Sequence, residues 1–332
     1  QKPGTHHLAL DVEWKGTTHT HTYGLYLPPN FADLKDGEKL PMLVYLVGLG
    51  ERGNEPRQLY MLGPLAEMER HAGLKKWVNF AILVVQCPHD TRYENPEMGN
   101  VVAEATRHVV KHWPIDPKRV HLLGMSMGAE GVWHAALAGP GLYATVTALA
   151  GRAHPDPTAV AKALKGTTAW IMVGDQDGPF TSGSRTMVKA LEKQDVDVVH
   201  TILPGFRHNI WRATMSKRQF YEWIMLHTRD QPPPADRATG KQLVDIAFLP
   251  SENERLDEFN TQLVESFEKW LPYWQIENCG RKGGVGYLDQ FGVGEQVFLT
   301  YPLSPLTPCR LMTTWEIPEG KKTKLKLRVG CH

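Results

Sequence analysis

The fold of this chain is decided by the stretch Val120-His121-Leu122-Leu123-Gly124-Met125-Ser126-Met127-Gly128-Ala129-Glu130-Gly131-Val132-Trp133. It opens on an apolar run typical of a buried strand, and a helical pattern follows over Met127–Leu137. The G-x-S-x-G pentapeptide between them predicts a sharp turn that strains the backbone of Ser126, while the flanking glycines relieve crowding. Such a turn exposes the serine hydroxyl at the carboxyl end of a sheet, as a nucleophile requires. The alternative is a tight turn with an incidental serine.

Short apolar runs alternate with helical patterns on both sides of this turn. The further apolar runs are Met42–Val47, Ala81–Gln86, Thr145–Ala150, Ala169–Val173 and Val198–Leu203. The further helical patterns are Val101–His112, Arg185–Lys193 and Lys217–Leu226. Two earlier segments, His6–Trp14 and His19–Leu27, alternate polar and apolar residues as half-buried antiparallel strands do. The sequence therefore predicts an α/β fold with a mostly parallel sheet and helices on both faces.

Composition and charge exclude several classes of function. The chain has 332 residues, of which 37 are Lys or Arg and 36 are Asp or Glu, without long runs of either charge. This balance is unlike the basic surface of a nucleic-acid-binding protein, and no apolar stretch approaches the roughly 18 residues of a membrane span. The cysteines are too few and too scattered for a CxxC metal site. We therefore expect a small or neutral substrate, with no nucleic-acid partner, membrane span, metal or organic cofactor.

The chain changes character near residue 231. The segment Gln231-Pro232-Pro233-Pro234-Ala235-Asp236 is typical of a stiff linker. We predict an α/β domain over residues 1–230, a linker over 231–242 and a β-rich accessory domain over 243–332. In that second domain a helical or irregular stretch precedes short strand-like runs, in the order Glu254–Trp270, Gln296–Tyr301, Leu311–Ile317 and Thr323–Val329. Because the chain ends at His332 directly after a predicted strand, we expect this small β-sandwich to be incomplete.

The cellular compartment is indicated only indirectly. The chain begins at Gln1 without methionine or a signal-like apolar segment, which is typical of a mature or trimmed chain and suggests a secreted or periplasmic protein. Cys279 and Cys309 can pair if the protein is exported, and the sequence leaves this open. Cys87 ends an apolar run, where we expect a buried thiol.

An acidic partner for Ser126 is expected just after a later strand. The apolar run Ala169–Val173 is followed by Gly174-Asp175-Gln176-Asp177-Gly178. We favour Asp177, which is better placed to point back over the edge of the sheet, whereas Asp175 can simply begin the turn. The alternative for either residue alone is a turn-capping aspartate.

The base that takes the serine proton is expected in a loop beyond the following strand. His208 lies in such a loop, after the run Val198–Leu203 and before the helical pattern that resumes at Lys217. Other histidines have simpler explanations. The pairs His19 with His21 and His108 with His112 are each predicted to lie on one solvated face, although either spacing can hold a metal ion.

A second group of candidate residues follows the first buried strand, in the loop Gly48-Leu49-Gly50-Glu51-Arg52-Gly53. Its glycines allow the backbone to approach a substrate carbonyl, and the N–H groups of Leu49 and Met127 are the candidate oxyanion donors. Glu51 and Arg52 either form an ion pair that braces the loop or lie in a solvated turn. Four aromatic residues near the same edge are candidate substrate contacts or packing residues, namely Trp211, Phe206, Phe180 and Tyr60.

Four segments together resemble the feruloyl esterase and polyhydroxybutyrate-depolymerase-like branch of the α/β hydrolases, some of whose members are labelled prolyl-oligopeptidase-like. They are Gly48–Gly53, Ile115–Val120, Gly124–Gly128 with Trp133, and His208-Asn209-Ile210-Trp211. Over residues 20–228 the resemblance implies an α/β-hydrolase fold, a triad of Ser126, Asp177 and His208, and an oxyanion hole made by the N–H groups of Leu49 and Met127.

The sequence departs from this pattern at two positions. Val47 replaces the usual histidine before Gly48, and Ala129 replaces a third glycine. The loss of the histidine removes a polar side chain that helps to brace the oxyanion loop, but the backbone donors remain. The C-terminal part resembles, more loosely, a β-sandwich domain found in planctomycete secreted proteins.

The function expected from these residues is hydrolysis of a carboxylic ester through an acyl-enzyme. The resemblance implies feruloyl or acetyl esters on polysaccharide as the substrate class. Two alternatives remain, a serine peptidase with the same triad and a non-catalytic binding protein on a hydrolase fold. A prolyl oligopeptidase normally carries a large propeller, and the sequence shows no blade-like repeat.

Overall fold

The computed structural model describes residues 2–14, 16–203 and 205–231, together with four short strands farther along the chain. Eight strands of the first part form one sheet in the order β1-β2-β4-β3-β5-β6-β7-β8. They are β1 (Gly4–Trp14), β2 (Thr17–Leu27), β3 (Leu40–Leu46), β4 (Ala81–Val85), β5 (Ile115–Met125), β6 (Thr145–Leu149), β7 (Thr168–Gly174) and β8 (Val198–Leu203). Strands β3 to β8 are paired in parallel, whereas β2 runs antiparallel to both β1 and β4.

The central strands are buried on both faces because their sequences are continuously apolar. Every residue of β3, β4, β6 and β7 is buried, as expected for a parallel sheet covered by helices. The predicted fold class is therefore confirmed. Most strand boundaries differ from the prediction by one or two residues, and the largest difference is that β5 begins at Ile115 rather than Val120. Ile115 pairs with Leu40, and a register shift before Met42 accommodates the extra residues.

Eight α-helices of the described residues flank the sheet. They are α1 (Pro64–Arg70), α2 (Ala72–Trp77), α3 (Pro96–His112), α4 (Met127–Ala138), α5 (Pro157–Ala163), α6 (Pro179–Glu192), α7 (Trp211–Met215) and α8 (Arg218–Met225). Helices α3 and α6 begin earlier than predicted, each with a proline in the first turn. Proline suits the first position of a helix because no N–H is needed there. The side chain of Asn95 also caps α3 by accepting from the N–H of Glu97 at 3.1 Å.

An aromatic cluster packs against the edge of the sheet that β7 and β8 form. Trp170 of β7 is fully buried, and its ring lies 5.4 Å from Phe220 and 4.3 Å from Trp223 of α8, measured between ring centroids. Its indole N–H donates to the hydroxyl of Thr201 in β8 at 2.9 Å. Because aromatic side chains bury a large apolar area, this packing fixes β7 and β8, from which the loops of the candidate site emerge.

The remaining described strands pair in the later part of the chain. They are β9 (Trp274–Glu277), β10 (Gly286–Leu288), β11 (Val297–Leu299) and β12 (Arg310–Thr313), and β9 pairs with β12 and β10 with β11, both antiparallel. The chain divides into two units, Gln1–Leu249 and Pro250–His332. The predicted domain limits stay a prediction. Most of the proline-rich linker, the stretch Glu254–Trp270, the run Thr323–Val329, Cys279 and Cys309 lie outside the described residues.

Two simpler expectations can be compared with the structure. Cys87 is fully buried, as predicted, and burial raises the pKa of its thiol to about 12. Among the helices of residues 2–231, none is both long enough and apolar enough to cross a membrane.

His121 makes the stability of the fold sensitive to acid. Its ring is fully buried in β5, with Nδ1 3.0 Å from the hydroxyl of Thr145, and burial, reinforced by His227 and Arg119, lowers its pKa to about 3. An unfolded histidine titrates near 6.5, so between these values the unfolded chain holds a proton that the folded chain does not. We expect this residue to lower the free energy of unfolding by about 1.4 kcal/mol for each pH unit below 6.5.

The measurement is urea unfolding of the parent and His121→Asn at pH 7 and pH 5, with the exposed His112→Asn as the control. The stability difference between the two pH values should be smaller in His121→Asn than in the parent, and unchanged in the control. Equal pH dependence in all three proteins would contradict the expected role of His121.

Candidate active site

Ser126 lies at the sharp turn between β5 and α4. Its φ of 53° and ψ of −119° are outside the regions that residues other than glycine commonly adopt. The turn is held from both sides, since the N–H of Ser126 donates to the carbonyl of Leu149 in β6 at 2.8 Å and its carbonyl accepts from Glu130 at 3.1 Å. Strained backbone of this kind is concentrated at functional sites.

The two glycines of the pentapeptide are required by close backbone contacts. A Cβ atom on Gly124 would lie 2.2 Å from the carbonyl oxygen of Gly128, and one on Gly128 would lie 2.1 Å from that of Leu46. Neither position can therefore hold a larger residue without a shift of the backbone. The second contact also brings the amino end of α4 directly against the end of β3.

The structure brings Ser126, His208 and Asp177 together in one hydrogen-bonded chain. The Oγ atom of Ser126 lies 2.8 Å from Nε2 of His208, and Nδ1 of His208 lies 2.9 Å from Oδ2 of Asp177. The Asp177 side chain is only 7% exposed. Because an ionised carboxylate can only accept hydrogen bonds, this contact favours the tautomer with the proton on Nδ1, which leaves Nε2 free to accept the serine proton.

The other aspartate of the turn has a different partner. Oδ1 of Asp175 accepts from the backbone N–H of Gly205 at 2.8 Å, and the N–H of Gln176 donates to the carbonyl of Phe206 at 3.0 Å. A Cβ on Gly174 would lie 2.2 Å from that same carbonyl oxygen. The loop after β7 therefore contacts the loop after β8. We name these two segments, 174–178 and 205–208, the acid–base loops.

The two candidate oxyanion donors both lie at the start of a helix. Leu49 begins a short 3-10 helix, Leu49–Glu51, and Met127 begins α4. The N–H groups in the first turn of a helix have no acceptor within it. Since α4 packs against the end of β3, these two amides emerge at the same edge of the sheet. Their role in binding an oxyanion stays a prediction.

Glu51 and Arg52 brace this loop separately. The Glu51 side chain is buried, which raises the pKa of its carboxyl, although hydrogen bonds from the N–H groups of Gly48 and Glu51 oppose this. Arg52 donates to the carbonyls of Leu49, His89 and Thr91 at 3.2, 2.8 and 3.0 Å. The structure shows neither of the two predicted arrangements for these described residues. Glu51 and Arg52 form no ion pair with each other, and Glu51 is buried rather than in a solvated turn. Their contacts supply bracing that Val47 cannot.

Two of the four candidate aromatic residues contact His208. The ring of Phe180 lies 4.2 Å from the imidazole, and Trp211 meets it edge-on at 5.6 Å, both measured between centroids. Phe206 is partly buried against the core, and Tyr60 lies exposed in the 3-10 helix Pro56–Tyr60. The structure therefore places Phe180 and Trp211 beside the imidazole.

Arg152 and Glu130 are residues of this region that the sequence analysis missed. Arg152 follows β6, and its guanidinium lies 4.8 Å from the centroid of the Phe180 ring. Its Nη1 is 3.3 Å from Oε1 of Glu130, in the first turn of α4. The position of Arg152 after a predicted strand could have indicated it, because the loop after a parallel strand emerges at the same edge of the sheet as the loops that hold Asp177 and His208.

The histidine pairs give no metal site among the described residues, where no group of three or more His, Cys, Asp or Glu is arranged to bind a metal. The prediction that His21 lies on a solvated face is wrong, because its ring is buried and burial lowers its pKa. It lies on the face of β2 that α3 covers, since Tyr23 contacts His108 and His19 lies 3.5 Å from Glu97, both in α3. His108 and His112 contact each other at 4.3 Å between centroids.

Part of this chain matches a known family, and its fold is similar to solved structures. A family described as "Dienelactone hydrolase family" matches residues 90–219, which include Ser126, Asp177 and His208. No curated protein matches the chain. Similar solved structures include a thermostable esterase, with 23% identity and a TM-score of 0.56 over 67% of this chain and 63% of that one. An S-formylglutathione hydrolase (FrmB) from Staphylococcus aureus has 17% identity and a TM-score of 0.50, over 68% and 98% of the two chains.

A third similar structure is the acylaminoacyl peptidase of Pyrococcus horikoshii, with 13% identity and a TM-score of 0.52 over 70% of this chain and 43% of that one. The chain thus spans less than two thirds of the length of both the thermostable esterase and this peptidase. At these identities the structures establish the fold, which is that of an α/β hydrolase. The family match supports a hydrolytic enzyme.

Proposed function

We propose that this protein is a serine esterase that hydrolyses carboxylic esters through an acyl-enzyme intermediate. The observation that carries the proposal is the hydrogen-bonded chain from Ser126 through His208 to Asp177, with distances of 2.8 and 2.9 Å. A serine hydroxyl becomes nucleophilic only when a neighbouring base accepts its proton. This arrangement supplies the base, orients it and stabilises the imidazolium that forms.

In the first half of the reaction, Nε2 of His208 takes the proton of Ser126 while Oγ attacks the ester carbonyl. The new C–O bond places a negative charge on the carbonyl oxygen, and the N–H groups of Leu49 and Met127 donate to it. The tetrahedral intermediate then expels the alcohol, which takes the proton from His208. Asp177 remains ionised throughout.

In the second half, a water molecule gives its proton to Nε2 of His208 and attacks the acyl-enzyme. The second tetrahedral intermediate collapses, the carboxylic acid leaves and Ser126 recovers its proton from His208. Each step uses a group that the described residues supply. The free serine therefore returns after one ester and one water have been consumed.

The proposed substrate class is an aryl or acetyl ester, free or attached to polysaccharide, in a secreted or periplasmic setting. Phe180 and Trp211 flank the imidazole with apolar rings, which favours an aromatic or apolar acyl group at the site. The same triad can cleave an amide bond, so peptide turnover is an outcome that the test must measure.

The test is labelling with a fluorophosphonate probe, which reacts with activated serines, followed by mapping of the labelled peptide. We expect the label on Ser126, with loss of turnover of p-nitrophenyl acetate and methyl ferulate in proportion to labelling. Ser182→Ala, which removes another exposed hydroxyl, is the matched control and should label normally. Label elsewhere, or faster turnover of peptide anilides than of esters by the parent, would contradict the esterase proposal.

A further inference from the structure

The segment 89–94, between β4 and α3, is tied to the loop that carries the candidate donor Leu49. Arg52 makes the connection with two of its nitrogens. Its Nε donates to the carbonyl of Leu49 at 3.2 Å, and its Nη1 donates to the carbonyls of His89 and Thr91 at 2.8 and 3.0 Å. The position of segment 89–94 therefore helps to set the position of Leu49.

The other end of the segment lies against α4, the helix that begins with the candidate donor Met127. Tyr93 is fully buried, and its hydroxyl donates to the carbonyl of Val85 in β4. A Cβ atom on Gly131 would lie 2.4 Å from the Cβ of Tyr93, so the ring packs directly on the backbone of α4. Segment 89–94 thus contacts the elements that carry both candidate oxyanion donors.

A pair of carboxyl groups, Glu94 and Glu130, joins the same segment to the first turn of α4. Oε1 of Glu94 accepts from Nε and Nη2 of Arg92 at 3.0 and 2.6 Å. Oε2 of Glu94 is buried, and no N–H or hydroxyl group of the described residues donates to it. The side chains of Glu94 and Glu130 are nevertheless in hydrogen-bond contact. Two ionised carboxylates have no donor between them, so this contact requires a proton.

The surroundings of the pair favour retention of one proton near neutral pH. The Glu130 side chain is only 9% exposed, and burial, followed by the hydrogen bond with Glu94, raises the pKa of Glu130 to about 7. Five further charged or titratable side chains surround the pair, namely Arg92, Arg152, His134, His154 and Cys87. The two arginines favour ionisation of the carboxyl groups, whereas burial lowers the pKa of His134 and so favours its neutral form.

We propose that Glu94 and Glu130 share one proton, and that this proton holds segment 89–94 in the position that braces the oxyanion loop. The inference rests on the proposed esterase function and adds two positioning residues to it. When the proton leaves to solvent, two negative charges face each other at a buried site. Because Tyr93 anchors the segment, we expect repulsion to shift it without releasing it, and Arg52 transmits the shift to Leu49.

The expected consequence is a loss of rate as the pH rises above neutral. A serine hydrolase normally keeps its rate at alkaline pH, because the neutral imidazole is the active base. Here we expect kcat with p-nitrophenyl acetate to fall by about tenfold from pH 6 to pH 9 relative to Glu130→Gln, with little change of KM. Complete loss of one oxyanion donor lowers kcat by about 100-fold or more, and a displaced donor costs less. The ratio to Glu130→Gln removes the titration of His208, which the two proteins share.

Two substitutions of Glu130 separate the proton from the side chain that holds it. Glu130→Gln can still donate to Glu94 and has no proton to lose, so its kcat should stay high at alkaline pH. Glu130→Ala has no such hydrogen bond, and its kcat should stay near the low alkaline value of the parent at every pH. Glu104→Gln makes the same change as Glu130→Gln at an exposed residue that pairs with Arg107 at 2.6 Å. As the matched control, it should keep the profile of the parent.

Infrared difference spectra between pH 6 and pH 9 test the shared proton without reference to activity. The parent and Glu104→Gln should show the carbonyl band of a protonated carboxyl group that is lost at pH 9, and this band should be missing in Glu130→Gln. If Glu130→Gln keeps the band, the shared proton is disproved while the esterase proposal stands. If the band behaves as expected but parent and Glu130→Gln have the same pH profile of kcat, the link to the oxyanion loop is wrong. If the parent hydrolyses no ester at any pH, the esterase proposal fails, and the positioning role fails with it.

Discussion

Ser126→Ala is expected to lower kcat for ester hydrolysis by about 10⁴- to 10⁶-fold, the largest effect of any single substitution in this chain. The substitution removes the atom that forms the acyl-enzyme, and only oxyanion donors and substrate binding remain to stabilise the transition state. The measurement is the initial rate with p-nitrophenyl acetate, corrected for hydrolysis without enzyme.

The fold should tolerate this change. The substitution adds no atom to the turn, and Ala150 already adopts a φ of 52° in this chain. We therefore expect the thermal unfolding midpoint of Ser126→Ala to stay within a few degrees of the parent value. A loss of activity smaller than tenfold in folded protein would show that Ser126 is not the nucleophile.

Asp177→Asn is expected to lower kcat by about 10⁴-fold with little change of structure. The amide that replaces the carboxylate has an N–H₂ group, which can donate to Nδ1 and so favour the wrong tautomer of the imidazole. In that tautomer the proton is on Nε2, which then has no lone pair to accept the proton of Ser126. The amide also fails to stabilise the imidazolium that forms as the proton moves. The measurement is kcat across pH 6 to 9, which separates loss of the base from a shift of its titration.

Asp175→Asn is the matched control for this prediction, since it makes the same chemical change two residues away. The side-chain oxygen of the asparagine can still accept from the N–H of Gly205, as Asp175 does at 2.8 Å. We therefore expect a loss of less than tenfold. If the two substitutions have equal or reversed effects, the assignment of the acid to Asp177 is wrong.

The parts of the fold that follow from local chemistry were predictable. The order of strand, pentapeptide and helix around Ser126 requires glycines at fixed positions, so this turn can be recognised from the sequence. The burial of β3, β4, β6 and β7 on both faces also leaves a direct trace, in the form of continuous apolar runs. Helix starts were less predictable, because Pro96 and Pro179 begin helices and proline is also common in loops.

Contacts between segments that are distant in the sequence could not be predicted from local sequence patterns. Whether Asp175 or Asp177 contacts His208 depends on how two loops separated by 30 residues or more meet. Arg152 reaches Phe180 only because β6 and β7 are neighbours in the sheet. The position of His21 on a strand of alternating pattern suggested exposure, and its burial results from packing on that face of β2 by α3, which is more than 60 residues away in the sequence.

The fastening of the acid–base loops (174–178 and 205–208) has a consequence for how such an enzyme can diversify. Because Asp175, Gln176 and Gly174 each contact the segment that precedes His208, the acid and the base form one structural module. The segments after β3 and β6, which carry Leu49 and Arg152, lie outside that module. Substitutions there are expected to alter contacts with the substrate without disturbing the hydrogen bond between Asp177 and His208, so proton transfer and substrate recognition can be changed independently.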